Sequence, residues 1–344
     1  MEKKLLLIKV VLLYVMFLGC AGNASSVNVE LFRVYEVKLK ADSPGNNPYL
    51  NGPAVTAKFA GISGEASGKS LIITGFWDGG NIWKLRFTPT SPGQWTYTTS
   101  SSDPGLNKKT GTITAVRPTS EQLSSNILYH GFLEKDETYS WKLSDGTPFL
   151  PVGETQWCFT EEFLFSEWEQ WIDVLQDRNF NTFMGCAWLG KYTRANIYPF
   201  QDSDPNSDQL LVSFFQEQLD PMVQYANDHG IMMGIVIGGF PDNSQWFRKF
   251  NTITRNDRWF KYIIARYSAF NVRWGLFGEI NEAVGRYALE DKSWEWVGSH
   301  FSQLIKNNDP YEHPVGSHST RVDTSSALDP NISFIEVQEG SRIS

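Results

Sequence analysis

The chain has 344 residues, a formal net charge of −8 and a pI of about 5.3. This length exceeds one typical domain, so two domains are the natural expectation. The acidic balance lacks the basic footprint of a nucleic-acid-binding protein, and we expect no nucleic-acid partner. Aromatic residues make up 14% of the chain, with 13 Trp; flat apolar rings suit the faces of sugars, although they also fill cores.

Residues 1–26 are predicted to be an export signal. The basic start, Glu2–Lys4, precedes an apolar run from Leu5 to Gly19 that is short for a bilayer span and typical of a secretory signal. Cys20 follows in a pattern that resembles a bacterial lipoprotein signal, in which the cysteine is lipidated after cleavage. Cleavage after Ala24 by an ordinary signal peptidase is the alternative. Either route predicts an exported protein, in the periplasm or at the bacterial cell surface, with a lipid on Cys20 as its membrane contact.

Residues 27–117 have the pattern of short β-strands. Apolar and polar residues alternate along Val34–Leu39, Ala57–Phe59 and Ile82–Phe87. Turn signals such as Asp103–Gly105 separate these segments. The spacing predicts an all-β sandwich of the immunoglobulin type.

The segments Gly75–Phe87 and Pro92–Tyr97 resemble a sandwich domain of unknown function that often precedes glycosidase barrels. Asp78 lies beside two glycines in this region, so we interpret it as a turn residue rather than a catalytic acid. The region contains three tryptophans: Trp77, Trp83 and Trp95. We favour core packing for them, and a sugar-binding platform is the alternative hypothesis.

Residues 118–131 form a polar connector, and residues 132–344 then alternate between strand and helix patterns. Six apolar strands are predicted: Phe149–Gly153, Asn181–Cys186, Ile231–Ile237, Val272–Gly278, Pro314–His318 and Ile332–Glu336. Helices are predicted to start at a capping box, Ser166–Glu169, and at Asp220-Pro221, and to cover about 257–270 and 294–306.

Repeated strand–helix units predict a parallel sheet. A (β/α)8 barrel carries functional residues at its strand ends. A doubly wound sheet would be expected to have an early glycine-rich phosphate loop, which this sequence lacks, so the barrel is favoured. Such a barrel typically occupies roughly 250 residues, and the predicted strands stop at six. The expected fold is therefore multidomain, an all-β sandwich followed by an α/β TIM-type barrel that is truncated at its C-terminus.

The stretch Val272–Ala283 begins as an apolar strand and ends in two carboxylates, Glu279 and Glu282. Carboxylates are costly to bury without partners, so acids at the end of a core strand need an explanation. A strand-end ion pair or a helix cap is one explanation, and a catalytic acid at the mouth of a barrel is the other. The strand–helix pattern before this stretch favours the catalytic explanation.

The segments Asp145–Trp157, Arg266–Trp274 and Gly278-Glu279 resemble apiosidase-like glycoside hydrolases. The resemblance implies retaining glycosidase chemistry, with the acid/base after strand four and the nucleophile after strand seven. It places Glu279 on the acid/base position and the nucleophile beyond the sixth strand, past Ser344. Gly278 stands where many related barrels have Asn, and Glu282 is the second candidate.

Other residues at predicted strand ends are candidates for substrate contacts, Trp rings by stacking and polar groups by hydrogen bonds: Glu154, Trp157, Trp188, His318 and Glu339. Glu336 and Glu339, around the sixth strand, are weak substitutes for the nucleophile. Cys158 and Cys186 are interpreted as two small core residues rather than a disulfide. We expect no cofactor and no metal.

The sequence thus predicts an O-glycoside hydrolase that acts on a polysaccharide with two carboxylates and a retaining mechanism; if the barrel is truncated, the chain by itself is expected to be inactive. The alternative is a non-catalytic carbohydrate-binding surface protein with an incomplete barrel. A purely structural surface protein is a third, less favoured hypothesis, because aromatic residues cluster at the predicted strand ends.

Overall fold

The structure is a computed structural model that describes residues 27–136, 140–189, 198–201, 208–240, 246, 249–282, 289–319 and 328–337. The predicted export signal, with Cys20, lies outside these residues. The described chain forms an N-terminal region of two sheets and a C-terminal region built on a parallel sheet. In the described ranges, no helix has both the length and the apolar character that crossing a membrane requires.

Eight strands build the N-terminal region: β1 Val27–Glu30, β2 Tyr35–Lys40, β3 Val55–Gly61, β4 Ser70–Thr74, β5 Phe76–Trp77, β6 Ile82–Phe87, β7 Gly93–Ser101 and β8 Thr110–Val116. One sheet has the order β1-β8-β7-β3-β4 and the other the order β2-β6-β5. A short helix, α1 (Pro48–Asn51), follows β2.

A single apolar core lies between these two sheets, as the alternation of the strands predicts. The rings of Phe59 on β3 and Phe87 on β6 stack with centroids 4.0 Å apart. Trp83 and Trp95 are buried in the same core, so core packing, not a sugar platform, accounts for them. The immunoglobulin type of connectivity stays a prediction.

The connector contains helix α2 (Ser120–Ser125), capped by the Thr119 side chain. It leads to an antiparallel sheet of β9 (Leu133–Lys135), β10 (Trp141–Leu143) and β11 (Pro148–Phe149). Phe149 therefore belongs to this sheet, and the predicted first barrel strand, Phe149–Gly153, is wrong. An apolar run does not reveal which sheet will pair with it.

Within the described ranges, the C-terminal sheet has six parallel strands in sequence order: β12 Gly153–Thr155, β13 Thr182–Cys186, β14 Met232–Val236, β15 Val272–Gly275, β16 Val315–Ser319 and β17 Phe334–Val337. Helices lie between them along the chain: α3 Phe159–Glu162, α4 Phe165–Asp177, α5 Val212–Phe214, α6 Asp220–Asp228, α7 Ile253–Tyr267 and α8 Trp294–Asn308. Strands β13, β14 and β16 are fully buried, as predicted for parallel strands. The sheet forms a curled half-barrel, and a seventh and eighth strand stay predictions.

Two predicted helix caps are wrong, although α6 does begin at Asp220 with Pro221 in its first turn. Helix α4 begins at Phe165, and the Glu167 side chain accepts the Leu164 N–H at 2.9 Å, so the cap lies two residues before Ser166. Asp220 is not a helix cap, because a π-helical turn, Phe215–Leu219, joins α5 directly to α6. Pro221 lacks an N–H and crowds the preceding turn of an α-helix, and the wider π-helical turn lies at that position.

Four charged side chains join the two regions, and we call them the charged junction: Asp78, Arg86, Asp220 and Arg266. Nη2 of Arg86, on β6, and Nη2 of Arg266, on α7, each lie 2.6 Å from Asp220 Oδ2. Arg266 also lies 2.8 Å from Asp78. Burial alone would raise the pKa of Asp220, but the two guanidinium groups lower it well below its usual range. The Asp78 carboxylate, placed beside the Gly79 turn, is thus an interdomain partner, which the sequence did not indicate.

Candidate active site

The carboxyl ends of β15 and β16, with the segments after β12 and β14, bring together four residues, three through their rings and Glu279 through its backbone N–H. We call them the mouth cluster: Trp157, Phe240, Glu279 and His318. The His318 ring meets Trp157 edge to face at 5.1 Å and Phe240 at 5.5 Å. Trp157 and Phe240 lie 4.7 Å apart. Three of the four were predicted from the sequence, and Phe240 was missed because no motif marks it.

Glu279 lies four residues beyond the end of β15 and is half-buried. Its backbone has φ 49°, in the left-handed region that residues other than glycine rarely adopt. Its N–H donates to Nδ1 of His318 at 3.0 Å. Burial lowers the pKa of His318 to about 4, so the imidazole is neutral near pH 7.

Gly278 leaves room for Phe240. A Cβ atom at position 278 would overlap the Phe240 ring. The Asn that the resemblance leads one to expect before the acid therefore does not fit unless Phe240 moves. At Gly278 the chain therefore departs from the family pattern: the Phe240 ring occupies the space that the side chain of the expected Asn would need.

The second candidate, Glu282, lies one turn further on and is exposed. Its N–H donates to the Glu279 carbonyl oxygen at 2.9 Å. Glu279 is half-buried and contacts His318, whereas Glu282 is exposed, so Glu279 is the better placed of the two candidates. The catalytic role of either residue stays a prediction.

The remaining predicted contacts are scattered. Glu154 is the exposed middle residue of β12 rather than a residue beyond its end. Trp188 is only 8% exposed and packs against Phe200 and Phe250 inside the large core. Glu339 lies outside the described residues. Substrate contacts by all three stay predictions.

An ion pair deeper in the half-barrel was not predicted. Arg273 of β15 lies 3.3 Å from Glu336 of β17, and Glu336 is the register partner of His318. Burial raises the pKa of Glu336, and Arg273 opposes this shift. A charged residue in the otherwise apolar run Val272–Gly278 was the available signal.

The arrangement offers one carboxyl group, a neutral imidazole and two aromatic rings at the strand ends, which suits proton transfer to a bound polar substrate. Cys158 and Cys186 are buried near one another in an apolar cluster and form no disulfide, as predicted. Among the described side chains, no group of three or more His, Cys, Asp or Glu is placed to hold a metal ion.

An N-terminal sheet region followed by a parallel half-barrel with an acid at its strand ends defines a protein with the fold of glycoside hydrolases. The model of the family "Apiosidase-like, catalytic domain" matches residues 135–343, and a domain of unknown function, DUF5060, matches residues 28–102. The chain belongs to the apiosidase-like family, as its sequence resemblance indicated.

Two solved structures show the same fold. A "putative glycoside hydrolase" from Bacteroides vulgatus ATCC 8482 is 25% identical with a TM-score of 0.74, over 91% of this chain and 60% of that one. A structure described as "Glycoside hydrolase" is 20% identical with a TM-score of 0.51, over 63% of this chain and 48% of that one. The chain thus spans about half to three fifths of these relatives. No curated protein matches it.

Proposed function

We propose that the protein is a glycoside hydrolase that cleaves O-glycosidic bonds of a polysaccharide by a retaining mechanism. The observation that carries the proposal is the position of Glu279, half-buried beyond β15 and hydrogen-bonded through its backbone to His318. Membership of a family whose model describes a catalytic domain supports it.

In this mechanism Glu279 is the acid/base. Its carboxylic acid protonates the departing glycosidic oxygen while a second carboxylate, about 5 to 5.5 Å away, attacks the anomeric carbon. The carboxylate of Glu279 then takes a proton from the water that releases the sugar. We assign the nucleophile to a residue after the seventh strand. Glu336 suits this role poorly, because its described partner is Arg273.

The substrate and the location follow from the same proposal. The half-buried Trp157 ring stacks on a sugar of the polysaccharide, and Glu154, Trp188 and Glu339 remain proposed contacts. Because plant-type polysaccharides are extracellular, we also propose that residues 1–26 are an export signal and that a lipid on Cys20 holds the enzyme at the bacterial cell surface or in the periplasm.

The test compares Glu279→Gln with Glu282→Gln in the complete enzyme, which includes the seventh strand, on glycosides with poor leaving groups. We expect Glu279→Gln to lower kcat roughly 10² to 10⁴-fold, the usual contribution of general acid catalysis. Glu282→Gln, its matched control, should stay within a few-fold of wild type, and circular dichroism should show both variants folded.

Near-normal hydrolysis by Glu279→Gln would refute the assignment of the acid. Binding of a polysaccharide without product release, unchanged in Glu279→Gln, would instead support the non-catalytic alternative.

A further inference from the structure

The backbone of Glu279 is held in an unusual conformation by a side chain from the next strand. A left-handed residue that is not glycine persists only when its surroundings hold it there. Here the Glu279 N–H donates to Nδ1 of His318 at 3.0 Å. The direction in which the Glu279 side chain leaves the chain therefore depends on this hydrogen bond.

This hydrogen bond also fixes the tautomer of the imidazole. A backbone N–H can only donate, so Nδ1 of His318 must present its lone pair, and the ring proton must lie on Nε2. A protonated imidazole would place a hydrogen on Nδ1 and face the Glu279 N–H with a second donor.

The surroundings of His318 favour its neutral form. Its ring packs against Trp157 and Phe240, and burial lowers its pKa to about 4. The charged groups on the neighbouring strands are Arg273, with Glu279 beyond β15, and Glu336 on β17. Arg273 and Glu336 lie 3.3 Å apart as an ion pair, so much of their charge is cancelled locally.

We propose that His318 is the positioning residue of the acid: its Nδ1 accepts the Glu279 amide proton and thereby aims the Glu279 carboxyl group at the leaving oxygen. This inference rests on the proposed function. It differs from a direct substrate contact, in which Nε2 of His318 would hydrogen-bond a sugar hydroxyl and Nδ1 would have no part.

Two near-isosteric variants separate the two roles, because Asn places its side-chain oxygen near the position of Nδ1, whereas Gln reaches the position of Nε2. If Nδ1 matters, His318→Gln should lower kcat roughly 100-fold, the size of effect that a displaced catalytic group produces. His318→Asn should recover at least a tenth of the wild-type kcat, with KM changed little in both.

The leaving group supplies a readout that a general loss of packing would not change. A glycoside whose leaving group departs without protonation does not need the acid, so the defect of His318→Gln should shrink on it at least tenfold. His300→Gln, at a half-buried histidine of α8 paired with Asp257, is the matched control and should retain wild-type kcat on both substrates.

Three kinetic outcomes overturn the proposal: Gln outperforming Asn, an effect confined to KM, or an equal loss on both leaving groups.

The protonation of the imidazole nitrogens can also be measured independently of activity, in a ¹H–¹⁵N spectrum of the wild-type protein. We expect Nε2–H with unprotonated Nδ1 between pH 5 and 8, and an Nδ1–H tautomer would overturn the proposal outright. A complete wild-type enzyme that has the Nε2–H tautomer but hydrolyses no glycoside would refute the proposed function and leave the hydrogen bond standing.

Discussion

The charged junction and the mouth cluster both bury polar side chains, but they satisfy them differently. At the junction Asp220 lies between two guanidinium groups, and Arg86 is also paired with Glu36 at 3.0 Å. In the mouth cluster the described ring contacts of His318 are with Trp157 and Phe240, and its hydrogen bond is to a backbone N–H.

This difference separates groups that hold the fold from groups that are suited to chemistry. Opposite charges at close range lock Asp220 in its ionised form, so it cannot exchange protons near neutral pH. The His318 imidazole, buried against aromatic rings, has its pKa lowered to about 4 and is neutral near pH 7. Strong charge pairing therefore marks the junction as structural, whereas the mouth is the place of catalysis only in the function that we propose.

The largest expected effect on stability is at Asp220. Asp220→Asn leaves two buried guanidinium groups without their shared counter-charge, and we expect a loss of about 3 kcal/mol in the free energy of unfolding. Activity per folded molecule should stay near wild type. Denaturant titration with a parallel activity assay measures both, and a stable variant with impaired turnover would contradict the structural role of Asp220.

The ion pairing of Asp220 also predicts that the free energy of unfolding depends on pH. Because its folded-state pKa is depressed, its stabilising contribution is complete above the ordinary aspartate pKa of about 3.9 and is lost as the pH falls below it. The stability difference between wild type and Asp220→Asn should therefore shrink in that acidic range. Urea midpoints measured from pH 6 down to pH 3 test this, and a difference that stays constant would contradict it.

A smaller effect, of the opposite kind, is expected at Trp157. Trp157→Ala removes a half-buried ring of the mouth cluster, and we expect kcat/KM to fall about tenfold, equivalent to about 1.4 kcal/mol. Because the ring is only partly buried, the loss in stability should be below that of Asp220→Asn. Trp95→Phe, in the N-terminal core, is the control that should alter stability without altering kcat/KM.

The smallest effect is expected at an ion pair that lies outside both the charged junction and the mouth cluster. Arg117 and Glu65 form an ion pair at 2.6 Å, but their side chains are 63% and 65% exposed. Solvent screens such pairs, so Arg117→Ala should change the free energy of unfolding by less than about 1 kcal/mol. Thermal melts at low and high salt check this, and a larger change would show that exposure does not separate weak pairs from strong ones.

Local patterns predicted the elements better than the contacts between them. The alternation along Ile82–Phe87 gave β6, and the apolar run Val272–Gly278 gave β15. The partner of Asp220 could not be predicted, because Arg86 lies 134 positions away and the pairing depends on how two domains dock. Likewise Glu279 and His318 are 39 positions apart, and only the parallel pairing of β15 with β16 brings them together.

The length of the π-helical turn Phe215–Leu219 sets the spacing between two contacts that join the domains. On one side of it Val212 lies against Gly79, where a Cβ atom would be 3.8 Å away, and on the other Asp220 reaches Arg86. A π-helical turn closes i→i+5 hydrogen bonds, one residue wider than the i→i+4 turn of an α-helix. Deleting one residue from this turn would therefore change the spacing between Val212 and Asp220. The docking of the two domains therefore depends on the number of residues between Val212 and Asp220 as well as on the identities of these two residues.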